Sequence, residues 1–133
     1  IIGNECVIGN STELKNSLLF NKVQVPHFNY IGDSILGYKA HTGAGVICSN
    51  LKSTGGTVKV RAGDTCIETG LRKLGAMIGD GAEIGCNSVL NPGAVIGRNS
   101  IVYPLTSVKG YVPENHILKN AGELVIRRID SEV

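Results

Sequence analysis

The chain has 133 residues, 42% hydrophobic and only 5% aromatic with no tryptophan, so one domain with a core of small aliphatic side chains is expected. Its 18 glycines exclude a helical bundle, and without a strict three-residue period they exclude collagen as well. A formal net charge of +2 argues for no nucleic acid, and no run of about eighteen apolar residues suits a membrane span.

Four scattered cysteines, Cys6, Cys48, Cys66 and Cys86, form no C-x-x-C pair. They read as reduced thiols of an intracellular, cytoplasmic protein. No signal-peptide pattern is visible. Ile1 already sits in mid-repeat, so a piece of a longer protein is expected.

In chain order, the first signal is a loose six-residue period, IGNECV, IGNSTE, LKNSLL and FNKVQV, headed by Ile2, Ile8, Leu14 and Phe20. Between Pro26 and Leu36 the register slips by two residues. After Thr42–Ile47 the period vanishes until Ile78. Within that gap, Thr57–Arg61 and Thr65–Glu68 alternate polar and apolar residues around Ala62-Gly63-Asp64, which predicts a hairpin or extended loop. From Ile78 the period is strict: Ile78, Ile84, Leu90, Ile96, Val102 and Val108 head the hexads. Ala82, Ser88, Ala94, Ser100, Thr106 and Val112 hold their fifth positions.

A six-residue period fits neither helix nor hairpin sheet. It fits a short parallel strand, a tight corner, and repetition. Three hexads then close a triangular coil of about eighteen residues, and coils stabilise one another by stacking. The expected organisation is a β-helix over 1–113, with an inserted loop or hairpin at about 51–74. Residues 114–133 follow as one or two capping strands and a tail that is loose around Val133. Long loops on a rigid scaffold usually carry function.

His27, His41 and His116 are the only histidines. His27 lies outside the repeat positions and is either a plain corner residue or a general base, since imidazole titrates near neutrality. With the slip restored, His27 and His41 lie close to one coil apart, so they are expected to stack. A metal would need a third ligand. None stands at suitable spacing, and no metal is expected. Lys15 lies two hexads before His27, so the two would meet only around a corner or across a subunit interface. Arg72-Lys73 closes the long loop and can reach a phosphate. Asn50 reads first as a turn residue, and Arg127-Arg128 as a solvated pair.

The run Ile8-Gly9-Asn10, Leu14-Lys15-Asn16, Pro26-His27-Phe28-Asn29-Tyr30-Ile31-Gly32-Asp33-Ser34, then Gly43-Ala44-Gly45 and Asn50 carries a resemblance. It resembles the acetyltransferase domain of the bifunctional N-acetylglucosamine-1-phosphate uridyltransferases and glucosamine-1-phosphate acetyltransferases. The closest likeness is to forms with an insertion before Arg72-Lys73-Leu74-Gly75-Ala76-Met77-Ile78-Gly79-Asp80. The resemblance covers most of 1–113. It implies a single-stranded left-handed parallel β-helix that trimerises, and acetyl transfer from acetyl-CoA to an amino-sugar 1-phosphate in UDP-N-acetylglucosamine biosynthesis. It makes His27 the base and places Lys15, Tyr30 and Lys73 at the sugar phosphate. Ala44, Asn50 and Cys86 fall on the acetyl-CoA side.

His41 stands where the family usually has an asparagine beside the sugar. Leu51 replaces an aromatic residue, and Cys86 a serine. The γ-class carbonic anhydrases bind zinc on a related β-helix, but their ligand set has no counterpart here. Two other readings stay open: a trimerising or regulatory domain of a nucleotidyltransferase, and a purely structural β-helix. Convergence of His27, Tyr30, Lys15 and Lys73 on one cleft would separate them.

Overall fold

A computed structural model describes residues 1–128. Among them there is no α-helix, only a short 3-10 turn at Asn120–Gly122. The chain winds as a parallel β-solenoid of about seven turns. The first face stacks Val7–Asn10, Gln24–His27, His41–Thr42, Glu83–Ile84, Ile101–Val102 and His116–Leu118 in that order. The second stacks Glu13–Lys15, Tyr30–Gly32, Ile47–Cys48, Val89–Leu90 and Ser107–Val108. The third stacks Leu18–Leu19, Ile35–Leu36, Met77–Ile78, Val95–Ile96 and Tyr111–Val112. An antiparallel strand, Leu124–Ile126, pairs with His116–Leu118 at the end of the first face. The expectation for Val133 lies outside the described residues.

The hexad pattern fixes this geometry because one branched residue per strand points inward. Ile78, Ile84, Leu90, Ile96, Val102 and Val108 are all buried, and Ala82, Ser88, Ala94, Ser100 and Thr106 fill the space beneath the corners. Small residues are needed there because the corner backbone closes tightly over the core. Burial pushes the thiol of Cys48, one of the inward residues, up to about 12. A thiol so held is an inert core group.

Three expectations need correction. Phe20 heads a hexad in the sequence, yet it is 51% exposed, and Leu19 at 1% points inward instead. The reason is a side one residue short between Leu14 and Leu19, repeated between Ile31 and Leu36, where the second face turns to the third. Coils in the first half are therefore offset by 17 residues, as in Val7↔Gln24 and Tyr30↔Ile47. They reach the expected 18 only later, as in Glu83↔Ile101. The slip thus comes as single-residue deficits shared by successive coils, not as one two-residue gap. Val112, expected beneath a corner, is a buried strand residue because the last turn of the second face is also short.

The inserted segment is a hairpin, with Lys59–Ala62 antiparallel to Thr65–Glu68. It is fastened to the prism. Val58 is fully buried, its carbonyl accepts from Thr69 Oγ1, and Gly93 lies beneath it. A Cβ at Gly93 would stand 2.5 Å from the Lys59 carbonyl oxygen, so only glycine lets the hairpin sit this close. No helix among the described residues is long and apolar enough to cross a membrane.

Candidate active site: two corners flanking one face

Two corners of the prism border the second face, and the candidate residues divide between them. At the corner leading into that face stands His27, the last residue of its strand. Its backbone pairs with Asn10 below, and its carbonyl oxygen accepts from Gly45 N at 3.1 Å above. The next residue, Phe28, is exposed and has φ +35°, a conformation L side chains disfavour. The buried side chain of Asn29 holds this turn. Its Oδ1 accepts from His27 N at 3.1 Å, and its Nδ2 donates to Gly43 O at 2.8 Å.

The imidazole of His27 is exposed and makes no hydrogen bond among the described residues. Both other histidines are engaged. His41 Nδ1 lies 2.6 Å from Glu83 Oε2, and His116 Nδ1 lies 2.8 Å from the Glu114 carbonyl oxygen. A ring without a partner is the one available to take a proton from a ligand.

Ala44 and Cys86 follow on the same corner, one coil further each. Ala44 O accepts from Asn87 N at 2.8 Å, and a Cβ at Gly43 would meet Cys86 Sγ at 2.9 Å. His41 is not stacked on His27. It pairs with Gln24 on one side and Glu83 on the other, because the coil is 17 residues long and 14 falls short of it. Among the described residues no three His, Cys, Asp or Glu side chains form a metal-holding group.

At the corner leaving the second face the side chains are tightly organised. Asp33 is the hub. Asn16 Nδ2 donates to its Oδ1 at 2.6 Å, and Asn50 Nδ2 donates to its Oδ2 at 2.5 Å. Asn50 Nδ2 also reaches the Tyr30 hydroxyl at 3.2 Å. Lys15 pairs in register with Gly32, next to Asp33. Lys73 is brought in by its bridge to Leu51 as the insertion rejoins the prism. A Cβ at Gly32 would lie 2.7 Å from Asn50 Nδ2 and 2.8 Å from the Tyr30 hydroxyl, so glycine is what lets these groups close up.

Desolvation works against the Asp33 charge, but the Asn16 and Asn50 amides and the positive Lys73 and Lys15 outweigh it. Its carboxyl is held below the ordinary aspartate value. It stays anionic between two exposed lysines that present their remaining charge to solvent.

The structure therefore brings Lys15, Tyr30, Asn50 and Lys73 to one corner, and His27, Ala44 and Cys86 to the other. His41 stands apart on the first face. Asp33 and Asn16 were not singled out from sequence. Their signal was the 17-residue ladder Asn16, Asp33, Asn50, which is visible only once the coil length is known.

Residues 75–110 match the family described as bacterial transferase hexapeptide (six repeats). The chain is 30% identical over 128 residues to a protein named bifunctional protein GlmU from Methanococcus vannielii, covering 96% of this chain and 31% of that protein. It is 38% identical over 97 residues to a bifunctional sugar-1-phosphate nucleotidylyltransferase/acetyltransferase from Sulfurisphaera tokodaii, covering 73% of this chain and 24% of that one. Among solved structures, a mutant of AntD, an N-acyltransferase from Bacillus cereus in complex with dTDP and coenzyme A, superimposes with a TM-score of 0.57. It is 14% identical, and the match covers 96% of this chain and 83% of that one, a likeness of fold. The chain thus spans less than a third of the length of these two GlmU-type relatives. It is a hexapeptide-repeat solenoid, homologous over most of its length to the proteins named GlmU.

Proposed function

We propose that this solenoid transfers an acetyl group from acetyl-CoA to the amine of an amino-sugar 1-phosphate of the glucosamine-1-phosphate kind, on the way to UDP-N-acetylglucosamine. The observation that carries the reading is the division of labour between the two corners. One offers an imidazole without a partner beside a row of corner backbone. The other offers two lysines, a tyrosine and an asparagine fixed around a carboxylate.

The chemistry follows from those groups. Lys15 and Lys73 hold the phosphate and Tyr30 bounds the sugar, which sets the amine in one place. Asn50 spends its NH2 on Asp33 and Tyr30, which leaves its oxygen as an acceptor for a ligand. His27 takes a proton from the amine as nitrogen attacks the thioester carbonyl. The N–C bond forms, the C–S bond breaks, and the proton passes through His27 to the departing sulfur. The donor's pantetheine arm lies along Ala44 and Cys86. No covalent intermediate on the protein is needed, and the buried Cys48 is unsuited to one.

The two corners are one side of a prism apart, on the order of 15 Å. A single small amine does not span that on one chain. In a homotrimer with threefold symmetry, the His27 corner of one protomer meets the Asp33 corner of the next, and the site is completed between them. The donor is a metabolite of the cell interior, in keeping with a cytoplasmic protein. A nucleotidyl-transfer centre, as the name of the Sulfurisphaera tokodaii relative describes, would belong to the part of that protein that this chain does not match.

The test is free-CoA release by the trimeric protein given acetyl-CoA and glucosamine-1-phosphate. The reading requires release that depends on both substrates. Release no greater than hydrolysis of acetyl-CoA alone would sink it.

A further inference from the structure

The fastened hairpin does more than fill the gap between Asn50 and Lys73. Between it and the last coils lies a groove of about 720 Å³. Lys59 and Arg61 line one wall, as residues two apart on a strand share a face. Lys109, from the last coils, and Lys52 line it as well. Among the described residues no carboxylate lines it. The chain has 13 lysines and arginines, and four of them converge here.

Their local partners leave most of that charge uncompensated. Lys59 pairs with Glu68 across the hairpin at 3.0 Å. Lys52 Nζ donates, among the described residues, only to the Thr57 carbonyl oxygen, at 3.4 Å. Among the described residues neither Arg61 nor Lys109 has a carboxylate within ion-pair distance. Hydroxyl groups line the groove as well. Ser107 Oγ accepts from Asn91 Nδ2 at 2.9 Å, so its own proton is free to point into the groove. The buried Val58 and the close contact at Gly93 fasten the base of the strand that carries Lys59 and Arg61.

From this we infer that the groove under the hairpin is a binding site for a ligand carrying two phosphoryl groups. Arg61 engages one phosphoryl group with its paired N–H donors, while Lys109, Lys52 and Ser107 meet the other. Phosphate is the class that fits, since it offers several acceptor oxygens to donors spread over two walls. The site shares no residue with the Lys15–Lys73 cluster and stands whether or not acetyl transfer is the reaction. Ser49 and Leu51 flank Asn50 and line the groove's near end. The ligand is therefore either the bisphosphorylated adenosine end of the acyl donor or a separate nucleoside diphosphate.

The experiment is calorimetric titration of the full chain with pyrophosphate, adenosine 3′,5′-bisphosphate, UDP and, as an uncharged control, adenosine. It is repeated on an Arg61→Gln/Lys109→Gln double variant, on Arg61→Lys and on Lys15→Ala, each checked for a melting temperature near that of the unmodified chain. At least one phosphorylated probe is expected to bind the unmodified chain, more weakly as salt is raised. Its affinity should fall roughly tenfold or more in the double variant, by less in Arg61→Lys, which keeps the charge but not the paired donors, and be largely kept in Lys15→Ala. Binding equal in the double variant, binding lost in Lys15→Ala instead, or no binding of any phosphorylated probe overturns the proposal. Where the site holds, displacement of adenosine 3′,5′-bisphosphate by CoA assigns it to the donor, and UDP bound alongside CoA assigns it to a separate nucleotide.

Discussion

The two corners beside the second face are built by opposite means. At the Asp33 corner, side chains from three successive coils lock together through Asn16, Asp33 and Asn50, with Tyr30 and two lysines around them. At the His27 corner, the order lies in the backbone and in the buried Asn29, while the imidazole has no hydrogen-bond partner among the described residues. On the proposed reading, one corner holds the charged group of the substrate still and the other leaves a base free. The proposed site between neighbouring copies draws on both.

Substitutions can break this contrast. The largest effect is expected for His27→Ala. Turnover of acetyl-CoA with glucosamine-1-phosphate should fall by about 10²- to 10⁴-fold. The melting temperature should barely move, since exposed side chains without partners contribute within about 0.5 kcal/mol. Unfolding of that variant would show the ring to be structural. Next, Lys73→Ala should raise the KM for the sugar phosphate by roughly tenfold with a smaller change in kcat, the pattern of a lost binding contact. The same variant should move the Asp33 carboxyl back up toward its ordinary pKa, readable by NMR titration, because a stabilising positive charge is gone. An unmoved Asp33 would mean that Lys73 does not reach the cluster.

The pH dependence sharpens the contrast further. Asp33 has a folded pKa below its ordinary value of about 3.9. Its ionised form therefore stabilises the fold above that value, and the contribution is lost as pH falls through the lower, folded one. Urea unfolding of the unmodified chain and of Asp33→Asn should differ more at pH 7 than at pH 3. Equal differences at both would show that Asp33 is not held anionic by its neighbours.

The smallest effect lies beneath the corners. Ser34, under the Asp33 corner, donates to Gly32 O at 2.7 Å and accepts from Ala76 N at 2.9 Å. Thr42, which leads into the Gly43–Ala44 corner, buries a hydroxyl with no hydrogen-bond partner among the described residues. Thr42→Val keeps the shape and removes the stranded group, so the chain should gain about 1 kcal/mol in denaturant unfolding. A loss of stability would mean that the hydroxyl is satisfied after all.

How far the sequence reaches follows the same divide. The later coils were legible because Ile78 through Val108 keep a strict period, and a period of six leaves one inward residue per strand. The first coils were misread at Phe20. A side one residue short keeps an apolar residue at both candidate positions, and only the pairing of coils decides between Leu19 and Phe20. The same missing residue hid the Asn16–Asp33–Asn50 ladder and suggested a His27–His41 stack that the 17-residue coil forbids. Lys15, Tyr30, Asn50 and Lys73 were each visible as residues of a resembling motif. That they gather around Asp33 while His27 stands at the next corner depends on which side chains stack, and no spacing taken alone says so.

Subunit complementation tests the split site most directly. His27→Ala and a Lys15→Ala/Lys73→Ala variant are each purified, mixed, dissociated, reassociated and assayed for acetyl transfer from acetyl-CoA to glucosamine-1-phosphate. If the two corners meet between protomers, mixed trimers contain some intact sites, and activity should rise well above that of either variant alone. Activity no higher than the two separate variants would contradict the account, because each site would then be drawn from a single chain.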